Sequence, residues 1–317
     1  MASGLFGKDT HCVGLDVGSA MIKAVEISRR GGRAVLDKAA VAPTPVGVMT
    51  EGELTDGITV SKTLRALWRD YGVSQKRVAA SVWGPGVHCR SDRFDPTEEL
   101  AGAVRARAER VTQMQRDELA LVRQPIGSVI EDGCMWSACP ARKVEWIRET
   151  AALAGKNAVA VAPQACALAN AYAFNYRPGA HDAALLLHAG ARSLLVVVAR
   201  SWAVAWSKEI EIAGGWGADP GAVREQVRST VEDSWGDWIE YARPDGLERV
   251  FVSGGAARGG ELSDALGAQI GLRVEELDPF KSVRLLNGST ALRVVEEHGS
   301  TLAVAAGSSL GALEDEG

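Results

Sequence analysis

Short runs of apolar and β-branched residues, each ending at a glycine turn, are the most regular feature of the chain. The first run covers Val13–Val17 and ends at Gly18, and a second run covers Ile22–Ile27. β-Branched residues favour strands, and glycine lets the backbone double back without a side-chain clash. The pattern therefore predicts a β-hairpin, followed by a third strand up to residue 42 after the turn at Arg30-Gly31-Gly32.

The same pattern occurs twice more, far along the chain. Ala183–Gly190 is an apolar run that ends at a glycine, and the predicted strand Leu194–Ala199 follows it. Val250–Ala257 is a third run, and it reaches Gly254-Gly255 before a predicted helix. Ser253 is expected to lie in a loop, because no G-x-S-x-G motif surrounds it. Turns of this kind expose backbone N–H groups that can hold a phosphate.

Apolar residues recur at helical spacing in several segments between these strands. In residues 58–71 the spacing places Leu64, Leu67 and Trp68 on one face, and Gly72 is expected to end the helix. Further helices are predicted in the alanine-rich segment after Pro163 and at residues 98–111, 144–154, 219–241, 258–270 and 300–313. The last of these helices is expected to pack on the second half of the chain.

Length, charge and cysteine content narrow the class of protein. A chain of 317 residues with 46% hydrophobic and 24% charged residues is expected to be globular and to form two lobes. The net charge of −5 disfavours non-specific nucleic-acid binding. No apolar run approaches the roughly 18 residues of a membrane span and the N-terminus lacks a signal-peptide core, so a cytoplasmic location is expected. The scattered cysteines are interpreted as reduced structural thiols.

Residues around the first glycine turn have the chemistry of a phosphate site. Gly18 and Ser19 form the predicted turn, whose backbone N–H groups can cradle phosphate. Asp16 stands at its mouth, where a carboxylate could hold Mg²⁺ through water. Lys23 could place a positive charge on the same phosphates. On these residues alone, an ordinary hairpin with an exposed acid and base explains the segment equally well.

Four stretches of the chain carry a longer pattern. They are Leu5-Phe-Gly-Lys8 running into Gly14-Leu-Asp-Val-Gly-Ser19, then Gly155–Ala171, then Gly254-Gly255 through Leu277-Asp-Pro-Phe280, and finally Leu302–Gly307. From one end of the chain to the other, and in the same order, they resemble segments of the actin-like ATPases. Within that superfamily they resemble the PilM family of type IV pilus assembly proteins.

The resemblance implies an α/β architecture, namely an actin-like (ribonuclease H-like) two-lobed fold with a small inserted α/β subdomain and a shortened second lobe. The first lobe would comprise residues 1–83 and a return segment at residues 156–181. The inserted subdomain would cover residues 84–155. The second lobe would cover residues 182–317, with a reduced outer subdomain.

In actin-like ATPases two hairpin turns hold phosphates and a later glycine pair faces the adenosine. The residues that the resemblance implies for a site for ATP and Mg²⁺ are Asp16, Gly18, Ser19, Lys23, Gly190, Gly254 and Gly255. Among them, Asp16 is the candidate to hold the metal through water. Gln164 could orient a water molecule, although a polar residue at the start of a helix explains it equally well.

Three departures from the family pattern weaken this site. His188 stands where the second phosphate hairpin carries an aspartate, and an imidazole is a poor ligand for Mg²⁺. The family's V-D-V-E motif reads Val161-Ala-Pro-Gln164 in this chain. After Gly214-Gly215 the chain is too short for the family's small α/β subdomain, so one wall of the nucleotide cleft is expected to be missing. ATP hydrolysis is therefore expected to be weak or absent.

The resemblance implies a cytoplasmic adaptor of type IV pilus assembly, peripheral at the inner membrane. Its partner would be the cytoplasmic N-terminal peptide of a PilN-like single-pass protein, docked among residues near 12–42, 77–90 and 118–155. Pilus assembly ATPases are further candidate partners, and nucleic acid is not expected to bind. Three alternatives stay open: an active Mg·ATP-dependent ATPase of the same fold, the actin-like component of a related secretion or competence system, and a sugar-kinase-like enzyme.

Overall fold

The computed structural model describes most of the chain. The described residues are 11–50, 52–212, 216, 225–226, 229–230, 247–257 and 273–313. The predicted helices at 219–241 and 258–270 lie largely outside these residues, as do Gly214-Gly215 and the shortened segment after them. The chain divides into two compact units, the first formed by residues 1–85, 140–176 and 278–317 and the second by residues 86–139 and 177–277.

The strands follow the runs of apolar and β-branched residues. In chain order they are β1 (His11–Val17), β2 (Met21–Arg30), β3 (Arg33–Pro43), β4 (Met49–Thr50), β5 (Glu53–Leu54), β6 (Arg77–Val82), β7 (His88–Arg93), β8 (Leu119–Pro125), β9 (Gly133–Pro140), β10 (Asn157–Pro163), β11 (Ala183–Ala189), β12 (Ser193–Arg200), β13 (Ala203–Glu211), β14 (Leu247–Ser253) and β15 (Val274–Glu276). β7 was not predicted from the sequence, because its polar sequence HCRSDR has no apolar run.

The helices begin near the capping residues and proline boundaries of the sequence. They are α1 (Gly57–Asp70), α2 (Leu100–Thr112), α3 (Ala141–Leu153), α4 (Gln164–Tyr176), α5 (Thr290–His298) and α6 (Ala303–Ala312). At the start of α1 the Asp56 carboxylate accepts a hydrogen bond of 2.9 Å from the Thr59 backbone N–H, which satisfies a donor that the helix leaves unpaired. Within the ranges that the structure describes, no helix has the length and apolar character needed to cross a membrane.

A five-stranded sheet with the order β10-β6-β1-β2-β3 forms the centre of the first unit. β1 is antiparallel to β2 and parallel to β6. Gly14 in β1 lies directly against α6, and a Cβ atom there would be 1.8 Å from the carbonyl oxygen of Ala305. On another face of α6, a Cβ atom at Gly307 would be 1.8 Å from the carbonyl oxygen of Ala167 in α4. The two glycines therefore let α6 pack closely on both β1 and α4.

The second unit contains a five-stranded sheet of the order β13-β12-β11-β14-β15 and a three-stranded sheet of the order β7-β9-β8. Side-chain hydroxyls join the two sheets. Ser91 in β7 donates to the Val204 carbonyl in β13, and Ser207 in β13 donates to the Cys89 carbonyl in β7, both at 2.7 Å. The small three-stranded sheet is therefore anchored on β13 by two short hydrogen bonds.

Three placements differ from those expected. α6 packs on β1 and α4 in the first unit and not on the second half of the chain, because Gly14 and Gly307 leave room for it there. The expected division at residues 84–155 and 182–317 also differs, since α3 packs against α1 and residues 278–317 belong to the first unit. Ser253 is the last residue of β14 and is buried, so its expected position in a loop is wrong.

Candidate functional site

Asp16 and Lys23 form a buried ion pair at the first glycine turn. The antiparallel register of β1 and β2 places the two residues directly opposite each other. Lys23 Nζ lies 2.7 Å from Asp16 Oδ2, and the side chains are 13% and 1% exposed, respectively. A carboxylate this deeply buried is stable as an anion only when a cation or strong hydrogen-bond donors lie beside it. The expected exposed acid and base of an ordinary hairpin are therefore not what the structure contains.

Two further side chains contact this carboxylate. Gln164, the first residue of α4, donates from Nε2 to Asp16 Oδ1 at 3.0 Å. The Ser81 hydroxyl, near the end of β6, lies 3.4 Å from the same oxygen and 3.5 Å from the Leu15 carbonyl oxygen. Both oxygens of Asp16 therefore have partners, and Gln164 is close enough to this site to act on groups that Asp16 holds.

Backbone hydrogen bonds fix the turn between β1 and β2. The Gly18 N–H donates to the Met21 carbonyl at 3.0 Å, which closes the turn. Thr44, just after β3, donates from its hydroxyl to the Gly18 carbonyl at 2.7 Å and from its N–H to the Ala20 carbonyl at 2.9 Å. These hydrogen bonds hold the turn in place. The Gly18 N–H already donates to a carbonyl within the turn.

The second unit contains a hairpin with the same internal arrangement. The Gly190 N–H donates to the Ser193 carbonyl at 2.9 Å, as Gly18 does to Met21. His188 stands two residues before Gly190, as Asp16 stands two residues before Gly18. Ser253 on the parallel strand β14 lies 2.9 Å from His188 Nδ1 and 3.4 Å from the Leu187 carbonyl oxygen. This matches the contacts of Ser81 with Asp16 and Leu15, so the two hairpins are built on one plan.

The two hairpins differ in charge. The residue opposite Asp16 is Lys23, whereas the residue opposite His188 is Leu195. The buried acid–base pair of the first hairpin is therefore replaced by a buried imidazole–hydroxyl pair in the second. This substitution removes a carboxylate oxygen, which is the type of ligand that Mg²⁺ prefers.

The glycine pair after β14 lies beside the second hairpin. Gly254 has φ = +97°, and a Cβ atom there would be 2.2 Å from the Ala189 carbonyl oxygen. Only glycine fits this backbone conformation and this close approach. Gly255 is exposed, and an added Cβ there would have no heavy atom of the described residues within 4 Å. Trp216 Nε1 donates to the Gly190 carbonyl at 2.6 Å, so an aromatic side chain also lies at this turn.

The structure brings together some of the residues named from the sequence and leaves others apart. Lys23 and Gln164 each contact Asp16 in the first unit, and Gly18 lies in the same turn. Ser19 is exposed in that turn. Gly190, Gly254 and Gly255 belong to the second unit. Three residues at these hairpins were not predicted to belong to a site, namely Ser81, Thr44 and Ser253. Their positions at the ends of strands that lead toward the glycine turns were the only local signal.

The side chains present fit a phosphate better than they fit Mg²⁺. Lys23 has the charge to bind a phosphate and lies next to the turn, although Asp16 already neutralises it at 2.7 Å. A hydrated metal ion at Asp16 would have to share carboxylate oxygens that Lys23, Gln164 and Ser81 already contact. In the second hairpin His188 offers nitrogen where a hard cation needs oxygen. The donor set is therefore poor for Mg·ATP chemistry.

Comparison with known proteins gives two findings that cover most of the chain. The family model described as type IV pilus assembly protein PilM matches residues 14–213. A chain in a solved structure of a PilM–PilN type IV pilus biogenesis complex is similar over 97% of this chain and 100% of that chain. The sequence identity is 21% and the TM-score is 0.74.

Two further solved structures share the fold at lower similarity. The ethanolamine utilization protein EutJ from Carboxydothermus hydrogenoformans is 14% identical, with a TM-score of 0.54 over 98% of this chain and 92% of that chain. A Bacteroides thetaiotaomicron protein with an actin-like ATPase fold and unknown function is 8% identical, with a TM-score of 0.50 over 84% of this chain and 90% of that chain. The expected actin-like α/β fold is confirmed.

Proposed function

The chain belongs to the PilM family of type IV pilus assembly proteins, and we propose that it is a cytoplasmic adaptor of the pilus assembly platform at the inner membrane. It would bind the cytoplasmic N-terminal peptide of a PilN-like single-pass membrane protein. The similarity to a chain of a PilM–PilN complex along that chain's full length carries this proposal. A place in a related secretion or competence system would use the same adaptor chemistry, and pilus assembly ATPases would be further partners.

The outer edge of β8 is the surface on which we place the peptide. β8 is the terminal strand of the three-stranded sheet, so within that sheet one of its edges has no neighbour among the described strands. Val122 in β8 is 43% exposed. An exposed strand edge can bind an extended peptide through backbone hydrogen bonds, while alternate side chains select its sequence. β8 lies within residues 118–155, one of the segments in which the family resemblance implies peptide docking.

Val122→Asp is expected to weaken binding of the partner's N-terminal peptide by at least about tenfold, because it places a charge against apolar side chains of the peptide. Calorimetry with a synthetic peptide of the partner's N-terminus measures this. Val46→Asp is the matched control, since Val46 is fully exposed in the first unit and lies outside the expected docking segments. If both variants bound the peptide with equal affinity, the peptide would bind at a surface other than the edge of β8. Failure of the unmodified protein to bind would contradict the adaptor function itself.

We also infer that the protein binds nucleotide weakly and hydrolyses it slowly or not at all. The pair of His188 and Ser253 in the second hairpin supports this inference, since it lacks the carboxylate that would share a metal. The ion pair of Asp16 with Lys23 supports it further, because each charge already has its counter-ion. Catalysis of phosphoryl transfer needs charge neutralisation from several sides. Contacts of nucleotide with Ser19, Gly190, Gly254 and Gly255 stay predictions.

Mg·ATP is expected to bind the purified protein with a dissociation constant on the order of 1 mM or weaker. Release of phosphate is expected to be no faster than in the Asp16→Ala variant, because the metal site lacks one carboxylate. Calorimetry and a phosphate assay measure the two quantities. Micromolar binding that disappears in Asp16→Ala would instead support the alternative of an active ATPase, with Asp16 holding Mg²⁺ through water and Gln164 orienting the attacking water.

A further inference from the structure

Three side chains with metal-binding atoms meet on neighbouring strands of the first sheet. They are His11 at the start of β1, Glu26 in β2 and Asp37 in β3, and their ligand atoms all lie within 4.8 Å of one another. His11 Nε2 is 2.7 Å from Glu26 Oε1 and 3.7 Å from Asp37 Oδ2. One imidazole nitrogen and two carboxylates therefore converge on a space of the size that a metal ion occupies.

Among the residues that the structure describes, two carboxylate oxygens of this cluster have no hydrogen-bond partner although they are buried, namely Glu26 Oε2 and Asp37 Oδ2. Glu26 is 4% exposed as a residue. The side chain of Asp37 is 10% exposed, whereas that of His11 is 37% exposed. Leaving a buried charged oxygen unsatisfied costs more than about 1–3 kcal/mol. A cation held by the two carboxylates would bring positive charge next to these oxygens, and it would be reachable from solvent past the partly exposed His11.

A β-bulge brings Asp37 into the cluster. β2 and β3 pair with Ile27 opposite Leu36 but with Glu26 opposite Lys38, so Asp37 is the extra residue of the bulge. Bulges re-aim side chains and bend the strand that carries them. Lys38 extends toward Gly72, since its Nζ lies 3.5 Å from the position of a Cβ on that residue. The bulge therefore adds a carboxylate beside Glu26, and the ammonium group of Lys38 lies near Gly72.

Two positively charged side chains, Arg30 and Lys156, lie close to the cluster, and each already has its own partners. Arg30 is paired with Asp37 Oδ1, which leaves Oδ2 of Asp37 facing His11. Lys156 Nζ donates to the carbonyl oxygens of Val73 and Gln75 at 2.8 and 2.6 Å. Burial lowers the pKa of Lys156, while the nearby charge of Glu26 acts in the opposite direction. Two carboxylates balance the two charges of a divalent ion, and the exposed Arg30 beside Asp37 adds one positive charge at the edge of the site.

We propose that His11, Glu26 and Asp37 form a binding site for a divalent transition-metal ion such as Zn²⁺. Zinc binds histidine nitrogen and carboxylate oxygen at about 2.0–2.2 Å, so its tetrahedral ligands lie about 3.3 Å apart. The two measured separations, 2.7 and 3.7 Å, lie on either side of this value. The imidazole favours a transition metal over Mg²⁺ or Ca²⁺. A water molecule would fill the fourth position, on the exposed side of His11.

The proposed metal site is separate from the hairpin of Asp16. Asp16 is five residues further along β1, about 16 Å at the rise of a strand. Alternation along the strand also places His11 and Asp16 on opposite faces of the sheet, with Asp16 on the face of Gly14 and α6. Bound metal would link β1, β2 and β3 and so stabilise the sheet that carries the first hairpin.

Titration of the untagged, chelator-treated protein with Zn²⁺ tests the proposal by calorimetry. One ion per chain is expected, and His11→Ala should weaken its affinity by at least about tenfold, since losing even an outer-shell partner of a ligand costs 10–100-fold. His181→Ala is the matched control, because it removes an exposed imidazole outside the cluster. Saturating Zn²⁺ should raise the melting temperature by about 3 °C or more, and this shift should vanish in His11→Ala.

A second ligand variant keeps the test decisive if His11→Ala folds poorly. Asp37→Asn removes the charge of the bulge residue with little change of shape, and it should weaken Zn²⁺ binding by a similar factor while the fold is retained. Three outcomes would overturn the proposal. They are the absence of saturable one-to-one binding, unchanged affinity in both ligand variants, and equal weakening in His181→Ala, which would assign the ion to scattered surface histidines.

Discussion

Replacing Gly307 with alanine is expected to destabilise the protein by about 3 kcal/mol or more and to leave much of it insoluble. The added methyl group would be 1.8 Å from the carbonyl oxygen of Ala167 and 2.6 Å from its carbonyl carbon. Both atoms belong to the backbone of α4, which cannot yield as a flexible side chain can. Overpacking typically costs 1–3 kcal/mol, and a backbone clash lies at or beyond the upper end. The better helix propensity of alanine, about 1 kcal/mol, offsets only part of this.

Urea unfolding of Gly307→Ala measures this effect, with Gly127→Ala as the matched control. Gly127 has no heavy atom within 4 Å of an added Cβ and its φ is not positive, so alanine fits there. The control should keep the free energy of unfolding within about 0.5 kcal/mol of that of the unmodified protein. If Gly307→Ala unfolded at the same midpoint as Gly127→Ala, the close packing of α6 on α4 would be wrong.

The sequence predicted the elements of the fold better than their packing. The strands of the first hairpin could be found because their β-branched residues stand on either side of Gly18, and a local pattern is enough for that. The position of α6 could not be found in this way. It depends on Gly14 and Gly307, which lie near opposite ends of the chain and contact backbone atoms of different elements. A glycine that makes room for a distant helix has the same local signature as a glycine in a turn.

In the candidate site too, some contacts follow from residues that are close in sequence and others depend on strands that are far apart in sequence. A tight turn at Gly18 places Asp16 opposite Lys23, so their contact follows from the hairpin alone. Ser81 reaches Asp16 only because β6 lies parallel to β1, and Ser253 reaches His188 only because β14 lies parallel to β11. The partner and register of a parallel strand are not fixed by a turn, so neither serine could be assigned from its neighbours in sequence.

Removing the charge of Lys23 is the second change for which we expect a large effect. In Lys23→Met the Asp16 carboxylate, which is 1% exposed, keeps Gln164 and Ser81 but loses its counter-ion. Breaking a buried ion pair by removing one partner costs 3–5 kcal/mol, because the remaining charge is left uncompensated. Lys23 is itself slightly exposed, so we expect a loss of about 3 kcal/mol in the free energy of unfolding. Denaturant unfolding near pH 7 measures it.

A double variant separates the charge of Asp16 from the packing of Lys23. Lys23→Met combined with Asp16→Asn leaves no buried charge at this hairpin. The amide that replaces the Asp16 carboxylate can still form hydrogen bonds with Gln164 and Ser81, so about half or more of the lost stability should return. Lys62→Met, on the exposed face of α1, is the control for removing a lysine and should change stability by less than about 0.5 kcal/mol. If Lys23→Met were no less stable than Lys62→Met, Lys23 would not be the counter-ion that keeps Asp16 charged. The first hairpin would then have a lysine free to bind phosphate, and the inference of weak nucleotide binding would rest on the His188–Ser253 pair alone.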